Sequence, residues 1–286
     1  MDGALALALP TRLGQSLEVQ TISTQIIEWT SFDEQGNIWL EATFSLPDCQ
    51  YINGTDIELG KRLESILKGV AKQKPEFWSG EQGWKIETKL DFPRKWGLGT
   101  SSTLIANLAN WAGINPYLLL DKTFGGSGYD IACATAKGPL FYELSRNGDT
   151  NALPIVFNPP YKDNLFFVYL GKKQNSREGL AHYRKQAKRL EFVKDISAIS
   201  RQIADAQQLQ EFEALIQNHE MLIAETLDLK MVKSIHFADY WGKIKSLGAW
   251  GGDFVLATSN RTEVETKAYF NERGFDTVLK YDELIL

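Results

Sequence analysis

The sequence predicts an α+β protein built in two halves, and three observations carry that reading. Several short runs alternate apolar and polar residues: Leu17, Val19 and Thr21; Ile38, Leu40, Ala42 and Phe44; Trp84, Ile86, Thr88, Leu90 and Phe92. Successive strand side chains point to opposite faces, so this spacing marks strands with one buried face. Other runs keep the helical period: Leu59, Leu63, Ile66, Leu67 and Val70 share one face of a helix. The chain then changes character near Pro159-Pro160. A division into residues 1–155 and 156–286 is therefore expected.

Each element follows in order. Ala4 to Leu9 reads as a short buried strand, preceded by acidic Met1-Asp2-Gly3 and stopped by Pro10. It is too short and wrongly flanked for a secretory signal. Asp33-Glu34-Gln35-Gly36-Asn37 reads as a hairpin turn joining the 17–21 and 38–44 strands. Thr55 or Asp56 suits the N-cap of the helix through Leu59–Val70. The 84–92 strand runs into a glycine-rich turn and then a helix with Leu104, Leu108 and Trp111 on one face. Beyond Pro160, Leu165 to Leu170 is a fully apolar strand. From about Glu178 to Leu227 the pattern is helical, with one stripe at Ile196, Ile199 and Ile203 and another at Phe212, Leu215, Ile216, His219 and Ile223. The tail returns to strands at Phe254–Ala257 and Thr277–Leu279. No internal repeat or low-complexity segment is present.

Composition narrows the function classes. Of 286 residues, 43% are hydrophobic and 23% charged, which supports a buried core and rules out disorder for most of the chain. Thirty-one basic against 36 acidic residues leave a net charge of −5, against the basic surplus of a general nucleic-acid binder. Two cysteines, Cys49 and Cys133, make neither a disulfide framework nor a zinc site. His182, His219 and His236 lie too far apart for a helical metal motif. No apolar run nears the ~20 residues of a membrane span. A cytoplasmic protein without nucleic-acid or membrane partners is expected.

Three glycine loops carry the chemistry. Pro93-Arg94-Lys95-Trp96-Gly97-Leu98-Gly99-Thr100-Ser101-Ser102-Thr103 lies between a strand and a helix. Its glycines allow close backbone approach, the helix start offers N–H groups, and the hydroxyls can meet phosphate oxygens or Mg²⁺. Arg94 and Lys95 add positive charge. The same residues would also serve a tight turn with a Ser/Thr N-cap. Phe124-Gly125-Gly126-Ser127-Gly128-Tyr129-Asp130 places an acid at the rim of a second loop. Asp130 could orient a hydroxyl or hold Mg²⁺, or cap a helix beginning at Ile131. Leu247-Gly248-Ala249-Trp250-Gly251-Gly252-Asp253 is a third loop that could bring backbone N–H groups to a phosphate, although taken alone it reads first as a plain β-turn. His219 reads as a core histidine, Cys133 as a buried thiol, and Arg184, Lys185, Lys188 and Arg189 as a solvated helix face. Glu220 and Glu225 have no partner identifiable from sequence.

Taken in order, the three loops resemble the GHMP kinase superfamily. Lys95-Trp96-Gly97-Leu98-Gly99 and Gly126-Ser127-Gly128-Tyr129-Asp130 look most like its phosphomevalonate and mevalonate kinases. The resemblance implies a two-lobed fold, with an N-terminal half of ribosomal-S5 type and a ferredoxin-like C-terminal half. It implies ATP and Mg²⁺ as cofactors, a small hydroxy acid or its phosphate as substrate, and a monomer or homodimer. In its terms Asp130, Lys95 and Ser101 are catalytic, and Ser101 and Asp130 hold the metal. Gly97, Leu98, Gly99, Thr100, Ser101 and Ser102 hold the nucleotide, and Ser127, Gly128, Ser176, Gly251, Gly252 and Asp253 meet the substrate. The alternatives are a catalytically impaired nucleotide-binding homologue, or a sugar- or homoserine-type kinase of the same superfamily.

The sequence also departs from the family pattern. Thr100 replaces a serine, Ser102 and Thr103 replace small residues, and Trp250 replaces a glycine or similarly small residue. The first strand expected of relatives is missing before Ala4, so a shortened chain is expected.

Overall fold

The computed structural model describes residues 2–145, 148–171, 183–185, 190–248 and 253–286. Its contacts group the chain into two units. The N-terminal unit is Leu13–Arg94 with Leu98–Thr135; the C-terminal unit is Met1–Arg12, Lys95–Gly97 and Ala136–Leu286. A single cut at 155/156 does not describe this grouping. Strand β1 (Ala6–Ala8) is the reason for the first stretch, because its partner lies more than 130 residues later at Leu140–Tyr142. Backbone bonds from Arg12 to Leu284 and from Leu286 to Pro10 hold the same stretch to the other end of the chain.

In the N-terminal unit the alternating runs pair into a five-stranded sheet. Its strands are β2 (Gln15–Ile22), β3 (Ile26–Phe32), β4 (Ile38–Ser45), β5 (Tyr51–Gly54) and β6 (Gly83–Leu90), in the order β2-β6-β3-β4-β5. β3 and β6 run parallel, and the other neighbours antiparallel. The expected hairpin at Asp33–Asn37 exists, with the Asp33 carboxylate accepting from the Gln35 and Asn37 amides. However, it joins β4 to β3 rather than to the 17–21 strand. β3 escapes a period-two reading because Ile26 and Ile27 are adjacent and Ser31 holds an inward position. Ser31 is satisfied there by the Trp29 indole N–H and the Thr88 hydroxyl, each at 2.9 Å.

Helices α1 (Ile57–Gln73), α2 (Thr100–Ala112) and α3 (Pro116–Thr123) bury apolar stripes with this sheet, and α4 (Tyr129–Thr135) adds Ile131. Asp56 caps α1, accepting from the Leu59 amide at 3.0 Å. The shared core takes Ile27, Trp29, Phe44 and Ile86 from the sheet, Leu63, Leu67 and Val70 from α1, and Ile105 and Leu108 from α2. Each such side chain contributes about 1.5–3 kcal/mol on burial.

Among the described residues the C-terminal unit holds two sheets. One is β1-β7-β8, with β7 (Leu140–Leu144) and β8 (Thr150–Pro154) forming a hairpin. The other is four-stranded: β9 (Leu165–Tyr169), β10 (Ile244–Ser246), β11 (Phe254–Thr258) and β12 (Val278–Lys280), in the order β10-β11-β9-β12 and fully antiparallel. Between β9 and β10 come α5 (Leu190–Asp205), α6 (Leu209–Leu227) and the short α7 (Val232–His236). Between β11 and β12 comes α8 (Glu263–Asn271), and α9 (Tyr281–Leu284) ends the chain. This β-α-β-β-α-β sequence is the expected ferredoxin-like arrangement. The helical pattern read up to Leu227 is broken at Ala206–Gln208. Its predicted stripe is buried at Ile196, Ile199, Ile203, Phe212, Ile216 and Ile223.

Candidate active site

The loop between β6 and α2 is shared by the two units, Lys95–Gly97 falling in the C-terminal unit and Leu98 onward in the N-terminal one. On the N-terminal side, Gly99 is the Ncap of α2, with φ +82° and ψ +34°. That left-handed conformation strains any residue with a Cβ, and glycine adopts it freely. No side chain caps the helix, so the Ser/Thr N-cap reading of this loop does not hold. The first-turn amides at Thr100, Ser101 and Ser102 have no intrahelical acceptor. They form the positive end of the helix dipole. Ser101 is exposed and Thr100 half-buried, whereas Ser102 is buried. The Thr103 hydroxyl is engaged within the fold, donating to Gln15 Oε1 at 2.9 Å; Asn107 Nδ2 donates to the Gln15 carbonyl at 2.6 Å. These bonds anchor the first turns of α2 to β2.

The second loop meets the first at Gly99. A Cβ placed on Gly99 would lie 4.0 Å from the Cβ of Asp130. Helix α4 starts at Tyr129, so Asp130 falls within its first turn and is not its N-cap. The Ser127 hydroxyl serves the turn instead, accepting from the Tyr129 amide at 3.3 Å. Asp130 is exposed, and Gly128 is buried with φ +77°. The half-buried Cys133 has its thiol pKa pushed up to about 12, first by burial and then by the Asp130 charge. It is therefore a protonated thiol. Arg94, expected to lend charge to the loop, has its guanidinium 3.8 Å from the centre of the Trp39 ring. Burial lowers its pKa and nearby Asp56 opposes that.

On the C-terminal side, Lys95 is exposed and its carbonyl accepts the Tyr169 hydroxyl at 2.7 Å. The Trp96 ring meets Phe254 edge-on at 5.6 Å and tilts against Tyr169 at 6.2 Å. Gly97 has φ +71°, and a Cβ there would collide with the carboxyl group of Asp253. The first and third loops thus meet at Gly97. Asp253 is held by its own backbone, whose carbonyl accepts from the Leu170 amide at 2.9 Å. The buried Glu220 carboxylate accepts from the Ser246 amide at 3.1 Å and the Ser246 hydroxyl at 2.9 Å.

No family model matches the sequence, and no curated protein matches it. Solved structures do. The Methanococcus jannaschii mevalonate kinase aligns at TM-score 0.70 with 17% identity, covering 97% of this chain and 90% of that one. Streptococcus pneumoniae phosphomevalonate kinase, in complex with phosphomevalonate and AMPPNP, aligns at 0.68 with 13% identity, covering 98% and 94%. A mevalonate diphosphate decarboxylase from Legionella pneumophila aligns at 0.51 with 14% identity, covering 96% and 99%. The fold is that of the GHMP kinases.

Of the residues that the GHMP resemblance nominated, Gly99, Thr100, Ser101 and Asp130 gather within the N-terminal unit, and Lys95, Gly97 and Asp253 within the C-terminal unit. Ser102 lies in the same helix start but is buried. Ser176, Gly251 and Gly252, with Trp250, lie outside the described residues. Sequence reasoning missed Tyr169 and Phe254, which flank Trp96; their only signal was their position at the ends of two apolar strands. It also missed Gln15.

Among the described residues no three His, Cys, Asp or Glu side chains cluster as a metal site. Mg²⁺ needs less than that, being held by one or two carboxylates together with phosphate oxygens and water. The exposed Asp130 carboxylate and Ser101 hydroxyl are hard oxygen donors of that kind. The uncapped amides of α2 suit an anion. The residues present therefore fit a Mg²⁺–nucleotide. Among the described residues no helix is long and apolar enough to cross a membrane.

Proposed function

We propose that the protein is an ATP- and Mg²⁺-dependent small-molecule kinase of the GHMP type, acting on a hydroxy acid or its phosphate, with phosphomevalonate or mevalonate as the preferred substrates. The observation that carries this reading is the juxtaposition of Gly99 and Asp130. An uncapped helix start, preceded by a left-handed glycine, stands beside an exposed carboxylate. An anion cradle beside a base is what phosphoryl transfer asks of a protein, since its catalysis is mainly positioning and charge stabilisation. The fold and the named neighbours support that choice of substrate class.

In this reading Mg·ATP supplies the electrophilic phosphoryl group. The Thr100–Ser102 amides would hold its phosphate oxygens, and Ser101 and Asp130 its metal. Asp130 would orient the acceptor oxygen and, for a hydroxyl acceptor, take its proton as the new O–P bond forms. Lys95 would offset the charge that develops. Arg94, stacked on Trp39, is assigned no role.

The test is ADP release by purified protein with Mg·ATP and, separately, mevalonate, 5-phosphomevalonate, homoserine or galactose. Turnover with 5-phosphomevalonate or mevalonate is the expected result. Turnover confined to galactose or homoserine would overturn the substrate class and keep the reaction. Nucleotide binding with no acceptor-stimulated release by any compound would count against catalysis itself.

A further inference from the structure

We propose that Tyr169 is a positioning residue for the phosphate loop, acting through the backbone of Lys95 and the ring of Trp96. The inference rests on the kinase reading above for its catalytic consequence, but its structural half stands within the C-terminal unit alone. Three contacts converge on three consecutive residues. The Tyr169 hydroxyl donates to the Lys95 carbonyl at 2.7 Å. The Trp96 ring is flanked by Tyr169 and Phe254. Gly97 lies against the Asp253 carboxyl group.

Those three supports share one origin. Tyr169 and Phe254 are directly paired across the β9–β11 ladder, with ring centroids 5.3 Å apart. Asp253 immediately precedes Phe254, and its carbonyl is tied to Leu170, the residue after Tyr169. One sheet end therefore presents a hydroxyl, two aromatic faces and a carboxylate as a single surface. Burial and the nearby Asp253 charge both raise the Tyr169 pKa, so the phenol keeps the proton it donates.

Lys95–Gly97 has no regular structure beyond one 3₁₀ turn at Arg94–Trp96. Such a segment fixes few backbone bonds of its own, and its conformation is set by what it rests on. Two residues later the chain reaches Gly99, the uncapped start of α2. A loop held in advance binds phosphate without an ordering cost, whereas a loose one must be ordered by its ligand. Tyr169 touches none of the reacting atoms in this scheme.

The decisive variant is Tyr169→Phe, which keeps the ring and removes the hydroxyl. Amide hydrogen exchange is read on nucleotide-free protein, and steady-state kinetics are read alongside it. Exchange over residues 95–97 is expected to quicken about fivefold, the effect of one ordinary net hydrogen bond, with the rest of the unit unmoved. KM for Mg·ATP is expected to rise by a similar factor, about fivefold, while kcat and the KM of the acceptor hold. Tyr169→Leu, which also removes the aromatic face, should exceed both effects. Unchanged exchange over 95–97 in Tyr169→Phe overturns the proposal, and so does an even rise across the whole C-terminal unit. A fall in kcat with KM for Mg·ATP unchanged also overturns it. If wild-type protein turns over nothing, the kinase reading fails, and the exchange comparison still decides whether Tyr169 holds the loop.

Discussion

Gly97 and Gly99 stand two residues apart, both left-handed, and each faces an aspartate. The two units use these similar pairs differently. In the C-terminal unit the Asp253 carboxyl group occupies the space a Cβ on Gly97 would need, so that glycine is required by contact as well as by φ. In the N-terminal unit a Cβ on Gly99 would meet nothing closer than 4.0 Å, so that glycine is required by φ alone. Asp253 is half-buried and packed against backbone, whereas Asp130 is exposed beside an uncapped helix. The contrast teaches that one glycine loop can be a joint on one side and a ligand cradle on the other.

The largest test of that contrast is kinetic. Asp130→Asn is expected to lower kcat by about 10²–10⁴, the usual contribution of a positioned base, while nucleotide affinity stays near wild type. Asp253→Asn, nearly isosteric, should change kcat by far less and act on nucleotide KM. Comparable losses of kcat in both variants would erase the distinction between the two aspartates.

Stability gives a smaller contrast. Gly99→Ala is expected to cost about 1–2 kcal/mol from the left-handed φ alone. Gly97→Ala carries the same strain and must also displace Asp253, for about 1–3 kcal/mol more in a packed setting. Urea unfolding of each variant measures the difference. Repeating Gly97→Ala in an Asp253→Ala background should bring its cost down to that of Gly99→Ala. An unchanged cost in that background would show that Asp253 is not what excludes a side chain at Gly97.

The fold was legible where one physical signal dominated. Leu59 to Val70 gave α1 because a single apolar stripe explains its burial, and Asp56 emerged as its cap. β9 and β11 were legible as apolar runs. β3 was hidden because Ser31, an inward residue, is polar and finds its partners on Trp29 and on Thr88 of another strand. The glycine loops were legible as motifs, since left-handed backbone and close approach both demand glycine. Which aspartate sits beside which glycine was not legible, because that pairing is set by packing between segments distant in sequence. The same holds for the Tyr169 bond to Lys95, which spans 74 positions. Glu220 looked partnerless for the same reason, and Ser246 supplies its bonds from 26 positions away.

The smallest contrast is in pH response. His219, beside Lys245 in the C-terminal unit, has its pKa lowered to about 3 by burial and then by the Lys245 charge; Glu220, next in sequence, also faces that lysine. In the unfolded chain His219 titrates near its usual value of about 6.5. Its neutral burial therefore contributes stability that is complete above about pH 6.5 and falls as pH drops toward 3. In the N-terminal unit, burial raises the Glu64 pKa, but hydrogen bonds from Lys61, Lys68 and the Tyr51 amide outweigh it and hold the group at about 2. Its contribution is present above about pH 4.5 and is lost only as pH falls toward 2. Between pH 7 and pH 5, then, the C-terminal unit should weaken by about 1–2 kcal/mol through His219, while Glu64 leaves the N-terminal unit unaffected. His219→Gln should remove that acid sensitivity, and Glu64→Gln should leave it in place. Amide exchange at the two pH values, corrected for intrinsic rates, separates the units, and equal weakening of both would mean that His219 is not the group responsible.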